Sequence, residues 1–363
     1  MDFKKTKTVS LIGFLILVLN LIPVELMAEK QSLKFNKDLV IGKNSGDSNF
    51  IFSAITDVDL DKEENIYILD GMDYRIQKFD RQGTFITSII LKRGQGPEEL
   101  SFSPIMAVTP KGEIAILDRM ARKILIFNID GTFKRFFKID FQPNDLEFYA
   151  DDHLAILGIN DEKIIHIFDF EGNKIQTFGE TFSIPKKHSQ YKDMPYLKLS
   201  MRFDSSQDGT LYVLNPHKYE IFVYTKGILT QTILGKNELY RPMMITPTNI
   251  GGIGVVSPVM YALGWQNSLF ITLQGPGMEP ENQMELFEDG KSLFSQILNG
   301  FPYAIDKKGR IYIVEADEFP VVVRYTLSVK LQMPIVTTKR DIPSIRFPKL
   351  SNSFGALISI LEQ

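Results

Sequence analysis

Between residue 55 and residue 325, hydrophobic and polar positions recur in one order, with a period of roughly 40 to 60 residues. Each unit has a short apolar run, a polar turn ending in Gly or Asn, and a second run of aliphatic and aromatic residues closed by Asp or Asn. A third run follows, ending in an aromatic residue, and then a turn glycine. The clearest copy reads Asp57–Leu60, Asn65–Asp70, Arg75–Asp80 and Gly83. The second has Ala107–Val108, Ile114–Asp118, Lys123–Phe127 and Gly131, and the third Leu146–Phe148, Leu154–Leu157, Ile164–Phe168 and Gly172. The fourth has Met201–Phe203, Leu211–Asn215, Glu220–Tyr224 and Gly227. The fifth departs most, with Leu269–Leu273, Met284–Phe287 and Gly290. The sixth has Tyr303–Asp306, Ile311–Glu315 and Val321–Tyr325.

Runs of this length, rich in β-branched and aromatic residues and bounded by Gly, Asn or Asp, predict strands and hairpins. Near-continuous apolar runs such as Ile66–Leu69 require cover on both faces. Sheets packed face to face around an axis supply that cover, whereas a one-sheet solenoid would show cleaner alternation. No long segment of the repeats sustains a 3.6-residue apolar period, which excludes helical repeats. The predicted architecture is all-β: a six-bladed β-propeller of four-stranded antiparallel blades over residues 29–331, followed by a C-terminal extension, 332–363, that packs on or beside it. An open ring would leave two bare sheet edges. Leu33–Ile41 resembles an outer strand that precedes the first inner one, so it is predicted to close the last blade beside Val321–Tyr325. The competing closure uses Ser328–Leu331.

Between copies, Gly94-Gln95-Gly96-Pro97-Glu98-Glu99-Leu100 with Pro104 resembles Gly235–Leu239 with Pro242. Glycine and proline there fit a sharp return across the end of a sheet. Two stretches break the pattern: a polar insertion at 181–197, with Lys186, Lys187, His188, Tyr191 and Tyr196, and an expanded hairpin at 275–283. Gly251-Gly252-Ile253-Gly254 reads as a flexible linker, because no strand–helix context surrounds it.

The Asp70–Gly83 pattern and the Gly-x-Gly-Pro-Glu-Glu-Leu linker resemble the NHL-repeat family and related six-bladed propellers of exported bacterial proteins. The resemblance runs from about residue 32 to 330 and implies a six-bladed ring. It does not imply one function, since such rings serve as binding platforms and as enzymes.

The N-terminus adds a compartment. Lys4, Lys5 and Lys7 precede an apolar run from Val9, interrupted at Asn20 and Pro23, with Ala28 as a small exit residue. This is the layout of a cleaved signal peptide over 1–28. The apolar stretch is shorter than the roughly 20 residues a membrane-spanning helix needs. Export to the periplasm or the exterior is therefore expected, with no integral membrane segment after cleavage. The remaining chain carries 38 basic and 42 acidic residues, net −4, which argues against nucleic-acid binding. The chain has no cysteine, so its fold rests on its core alone and thiol chemistry is excluded.

Candidate chemistry is sparse. His153 is expected in a turn and His166 inside an apolar strand; with His188 and His217 they complete the chain's four histidines, and all are read as surface or packing residues. Asp70, Asp118, Asn215 and Glu315 recur at one repeat position, which marks a structural role in accepting turn amides. Arg75, Lys123 and Arg324 begin or line third strands nearby and are expected to pair with those acids or with a ligand. The turns between first and second runs, Glu63–Asn65, Lys111–Gly112, Gln207–Gly209 and Lys307–Gly309, read as plain hairpin chemistry. The opposite end carries the irregular loops, where recognition usually sits. Tyr74, Arg75, Arg119, Tyr191, Tyr240 and Arg241, with Met72 and Glu98 beside them, are the expected ligand-binding residues around the channel mouth. The expected role is a monomeric binding protein for a protein or glycan partner, without cofactor. The alternative is a lactonase- or lyase-type enzyme with a divalent cation such as calcium in the channel, for which Asp57 and Asn144 are the candidate ligands.

Overall fold

The structure is a computed structural model. It describes residues 32–330 apart from 102–103, 151–152, 200–201, 207, 239, 248–252, 257–259, 267, 275–281 and 317. The signal segment, the expanded hairpin's tip and the C-terminal extension lie outside the described residues. Residues 33–329 form one compact unit.

Six four-stranded antiparallel sheets follow one another along the chain. Blade 1 holds Ile55–Leu60, Ile66–Asp70, Arg75–Phe79 and Phe85–Ile90. Blade 2 spans Ile105–Val108 to Phe133–Lys138, blade 3 Pro143–Tyr149 to Lys174–Glu180, and blade 4 Phe203–Ser205 to Ile228–Leu234. Blade 5 runs from Met260–Trp265 to Lys291–Leu298. Blade 6 takes Phe301–Ile305, Ile311–Glu315 and Val321–Lys330, and its fourth, outermost strand is Ser32–Ile41. The ring thus closes with the N-terminal strand, as the pattern predicts. Residues 328–330 of the competing closure continue the third strand. Asp38 secures the join by accepting from Arg324 Nε at 2.8 Å and Thr326 Oγ1 at 2.8 Å.

Side-chain alternation explains the packing. Successive residues of a strand point to opposite faces, so Tyr67 and Leu69 pack against Val108, Ile114 and Ile116 of blade 2. Their neighbours Ile66 and Ile68 pack against Ala304, Tyr312 and Val322 of blade 6. Six such buried clusters, one at each blade junction, form the core. A strand covered on both faces reads as an unbroken apolar run, which is why the second strands do.

The blade ends differ. At one end lie the turns between first and second strands and between third and fourth. There Asp61 accepts from the backbone of Glu63 and Asn65, Asp80 from Gln82 and Thr84, and Asp306 from Lys308 and Arg310. The other end carries the linkers between blades and the loops between second and third strands. Here the insertion departs from its polar appearance: it forms 3-10 turns at Lys186–Tyr191 and Pro195–Lys198. Leu197 of this segment is buried with Met243 and Ile245, against Ile184, Tyr191 and Met194. Ile253 and Gly254, expected in a linker, lie instead in a strand, Ile253–Val256, that pairs antiparallel with Met244–Pro247. The β-branched and apolar residues of both segments account for it. His153 begins the strand His153–Asn160 instead of sitting in a turn.

Candidate functional site

The recurrent acids and cations brace the linkers. Asp70, buried at the end of the second strand of blade 1, accepts from the amides of Ser53 and Ala54 at 3.0 Å each and pairs with Arg75 at 3.2 Å. Arg75 also donates to the carbonyls of Ser48, at 3.2 Å, and Ile51. In blade 2, Asp118 accepts from Ser101 N and Ala121 N, and Lys123 Nζ reaches Gly96 O at 2.5 Å. In each case an acid receives amides of the incoming linker and a cation its carbonyls, so polar groups that no blade ladder pairs are met. Asn215 and Glu315 hold their own blades: Asn215 caps His217 N at 2.9 Å, and Glu315 takes Lys37 at 2.7 Å.

The expected ligand-binding residues have different settings: Arg75 opens the third strand of blade 1, and the others lie in linkers, the insertion or second-to-third-strand loops. Tyr74 is buried and donates to Ser101 O at 2.8 Å, and Arg75 is committed to the brace just described. Arg119 is half-buried and electrostatically coupled to Asp145. Tyr191 packs on the insertion's small core. Tyr240 stacks on Tyr219 at 5.2 Å, with its buried hydroxyl lacking a partner among the described residues. Arg241 is exposed and bonds its own loop's carbonyls at Glu238 and Tyr240. Glu98 pairs with Lys92 at 2.6 Å. Met72 and Met120, on the loops of adjacent blades, are 69% and 72% exposed.

Charge collects in the central channel, a feature not anticipated beyond Asp57. The first strands carry charges at alternate positions: Asp57 and Asp59 in blade 1, Asp145 and Glu147 in blade 3, with Arg202 and Asp204 where blade 4 begins. Alternation puts each pair on one face, and Asp57, Asp145, Glu147, Arg202 and Asp204 line one pocket with Tyr261 and Tyr303. The carboxylates bridge neighbouring blades. Asp57 accepts from Met106 N at 2.8 Å, Asp59 from Val108 N at 2.6 Å, Asp145 from Phe203 N at 3.1 Å and Asp204 from Gly264 N at 2.7 Å. First strands of adjacent blades splay too far for a ladder, and these side chains supply the missing hydrogen bonds. Arg202 lies against two rings that pack on each other, 4.8 Å from the centroid of Tyr261 and 5.2 Å from that of Tyr303.

Burial pushes Asp57 and Asp59 up to about 7; Arg202 partly offsets this for Asp57, and the Val108 amide for Asp59. Asp145 and Asp204 are also raised, chiefly by burial, and Glu147 is raised further by burial and by the charge of Asp204. So many carboxylates in so little solvent cannot all ionise near neutrality. Among the described residues, no group of three His, Asp or Glu side chains is arranged to hold a metal ion. Asn144, the other candidate cation ligand, is not among the residues lining the Asp57 pocket.

A larger groove, about 900 Å³, lies at the outer side of blade 4 under the start of the insertion. Phe182, Phe222, Tyr224 and Met243 give it an apolar wall, and His217, Lys186 and Lys187 add polar groups. Burial lowers the His217 imidazole below the usual histidine range, opposed by its bond to the Leu197 carbonyl.

Comparison with known proteins agrees on the fold. A family model described as a 6-bladed beta-propeller matches residues 46–225. No curated protein matches the chain. Among solved structures, a Bacteroides vulgatus member of the duf4221 family is similar at 9% identity and a TM-score of 0.55, covering 83% of this chain and all of that one. A Bacteroides fragilis protein designated as exported is similar at 11% identity and a TM-score of 0.53, covering 83% of this chain and 96% of its own. At these identities the likeness defines one class, the six-bladed β-propeller, and nothing narrower. Among the described residues no helix is long and apolar enough to cross a membrane.

Proposed function

We propose that this chain is an exported, monomeric binding propeller that holds a protein or glycan partner on the end formed by the linkers and second-to-third-strand loops. The observation that carries this reading is the difference between the two ends. One is built of short turns closed by their own Asp, Thr and Ser hydrogen bonds. The other holds the insertion, the extra strand pair Met244–Pro247 and Ile253–Val256, exposed Met72 and Met120, and the exposed cation Arg241. Variable loops on a rigid ring are the usual place of recognition. Export, to the periplasm or beyond the cell, rests on the signal pattern of residues 1–28, and the designation of the Bacteroides fragilis relative accords with it.

The test is retention of the labelled protein on a glycan array and on immobilised envelope proteins. Substituting Met72, Met120 and Arg241 together by alanine removes retention, while the pair Lys111→Ala and Lys307→Ala leaves it intact. Equal loss in both variants, or no loss in the first, contradicts the reading.

The channel carboxylates raise a second reading, a lactonase- or lyase-type enzyme, although among the described residues no three of them are arranged to hold the divalent cation it would use. Clustered carboxylates with raised proton affinity are common at catalytic sites. Elemental analysis finding a stoichiometric divalent cation, lost on substituting Asp57, would favour it over the binding reading.

A further inference from the structure

The insertion beside blade 4 docks through a histidine, whatever the linker end binds. Phe182 N donates to Lys198 O at 2.9 Å, which ties the two feet of the insertion to each other. Between them, Ile184, Tyr191 and Met194 pack on Leu197. A loop with joined ends and its own small core moves as one body. It docks on the ring through Leu197, which shares its core with Met243 and Ile245 of the next linker. The Leu197 carbonyl oxygen lies 2.7 Å from His217 Nε2. His217 belongs to the loop between the second and third strands of blade 4, and Pro216 of that loop accepts from Met243 N at 2.9 Å. Insertion and linker thus meet on one short loop.

The docked position suits only the neutral imidazole. A carbonyl oxygen only accepts, so Nε2 carries the hydrogen and Nδ1 is bare. Nδ1 is buried and has no partner among the described residues. Protonation would put an N–H there with no acceptor to meet it, and an unmet buried donor destabilises the docked state. The insertion adds like charge, since Lys187 and His188 are the charged groups that act on the ring. The carboxylates of the adjoining strands are engaged elsewhere: Glu220 by Lys218 and Asn215, and Glu180 by Lys163. The linker 242–247 carries no charged residue. Burial holds the docked imidazole below the usual histidine range, whereas an exposed one titrates near 6.5. Docking therefore has its full strength above about pH 6.5 and weakens as the pH falls below that, by up to about tenfold per unit. We propose that His217 is a pH latch: neutral, it holds the insertion against blade 4, and its protonation in mild acid releases the insertion and uncovers Leu197, Met243 and Ile245.

The chain has no cysteine, so a single introduced thiol reports opening without background. Met243→Cys places one beside Leu197, at a buried position. Its rate of reaction with dithiodipyridine, divided by the rate in the urea-unfolded chain at the same pH, measures the protection that docking confers. Ala115→Cys, in the core of blade 2, measures that of the ring. Protection at 243 is expected to fall about tenfold or more between pH 7.5 and pH 5, while protection at 115 does not fall. With His217→Gln added, whose amide still donates to Leu197 O but does not titrate, the fall at 243 is expected to be less than about threefold. Equal protection at 243 at both pH values, a parallel fall at 115, or an undiminished fall with His217→Gln overturns the proposal. If His217→Gln leaves 243 unprotected even at pH 7.5, nitrogen NMR of the wild-type imidazole decides: His217 taking its proton while 243 stays protected overturns the latch, and proton uptake in step with the loss of protection supports it. A flat profile at 243 leaves the binding reading untouched, and failed array retention leaves the latch untouched.

Discussion

The channel carboxylates make stability depend on pH in a direction opposite to ordinary acid denaturation. Asp57 holds its proton up to about pH 7 in the folded ring, whereas in an unfolded chain it loses it near the ordinary value of about 4. Between these values the folded state binds the extra proton, so stability is greatest on the acid side and falls as pH rises through about 7. One such group gives a slope of about 1.4 kcal/mol per pH unit. Between pH 5 and 7, Asp57 alone contributes about 2 kcal/mol of loss. Asp59 follows the same course from the same starting point. Discounted for coupling to Arg202 and the other carboxylates, the expected total is about 2–4 kcal/mol. Asp57→Asn places a neutral isostere of the protonated acid, whose amide oxygen still accepts from Met106 N. Urea unfolding at pH 5, 6, 7 and 8 is the assay. The wild-type protein should lose stability across this series, and the Asn variant should lose it less steeply, by about 1 kcal/mol per unit. A wild-type protein that gains stability from pH 5 to 8, or a variant with an unchanged slope, would refute the reasoning.

Three further outcomes follow from the fold. Removing residues 29–41 strips blade 6 of its outer strand and uncovers the sites of buried Phe35 and Ile41; it should cost about 3–6 kcal/mol in denaturant unfolding, and an unchanged midpoint would sink the closure. Arg75→Ala should lower stability by about 2–3 kcal/mol, since it releases two linker carbonyls and leaves buried Asp70 without its cation; a wild-type melting temperature would return Arg75 to a purely ligand-facing role. Gly300→Ala should destabilise by about 2 kcal/mol or more, because φ is +148° and a Cβ there would lie 2.2 Å from the Val314 carbonyl oxygen; a melting temperature within a degree of wild type would show that the loop shifts freely.

The ring was legible because its information is local. Runs such as Ile114–Asp118 declare their strand and its two covered faces within five residues, and Ser32–Ile41 shows outer-strand character before any inner strand appears. The channel was not legible for the opposite reason. Asp57, Asp145 and Asp204 each fit a strand-end role within their own copy, and only closure of the ring sets the amides of Met106, Phe203 and Gly264 against them. A signal did exist in the paired charges Asp57-x-Asp59 and Asp145-x-Glu147, which place two acids on one face of an inner strand. Leu197 and Met243 lie in different linkers, and their shared core beneath the insertion depends on blades 3, 4 and 5 being neighbours. Arg75 stands at the start of a third strand, but its carbonyl partners belong to a linker whose path no local pattern encodes.

The most direct measurement of the central claim is amide hydrogen exchange of the protein with and without the ligand best retained on the array. The account predicts added protection in 181–199 and 235–247 and in the loops at 71–74 and 119–122, with none in the turns at 61–65, 109–113 and 306–310. Protection confined to those turns would contradict it.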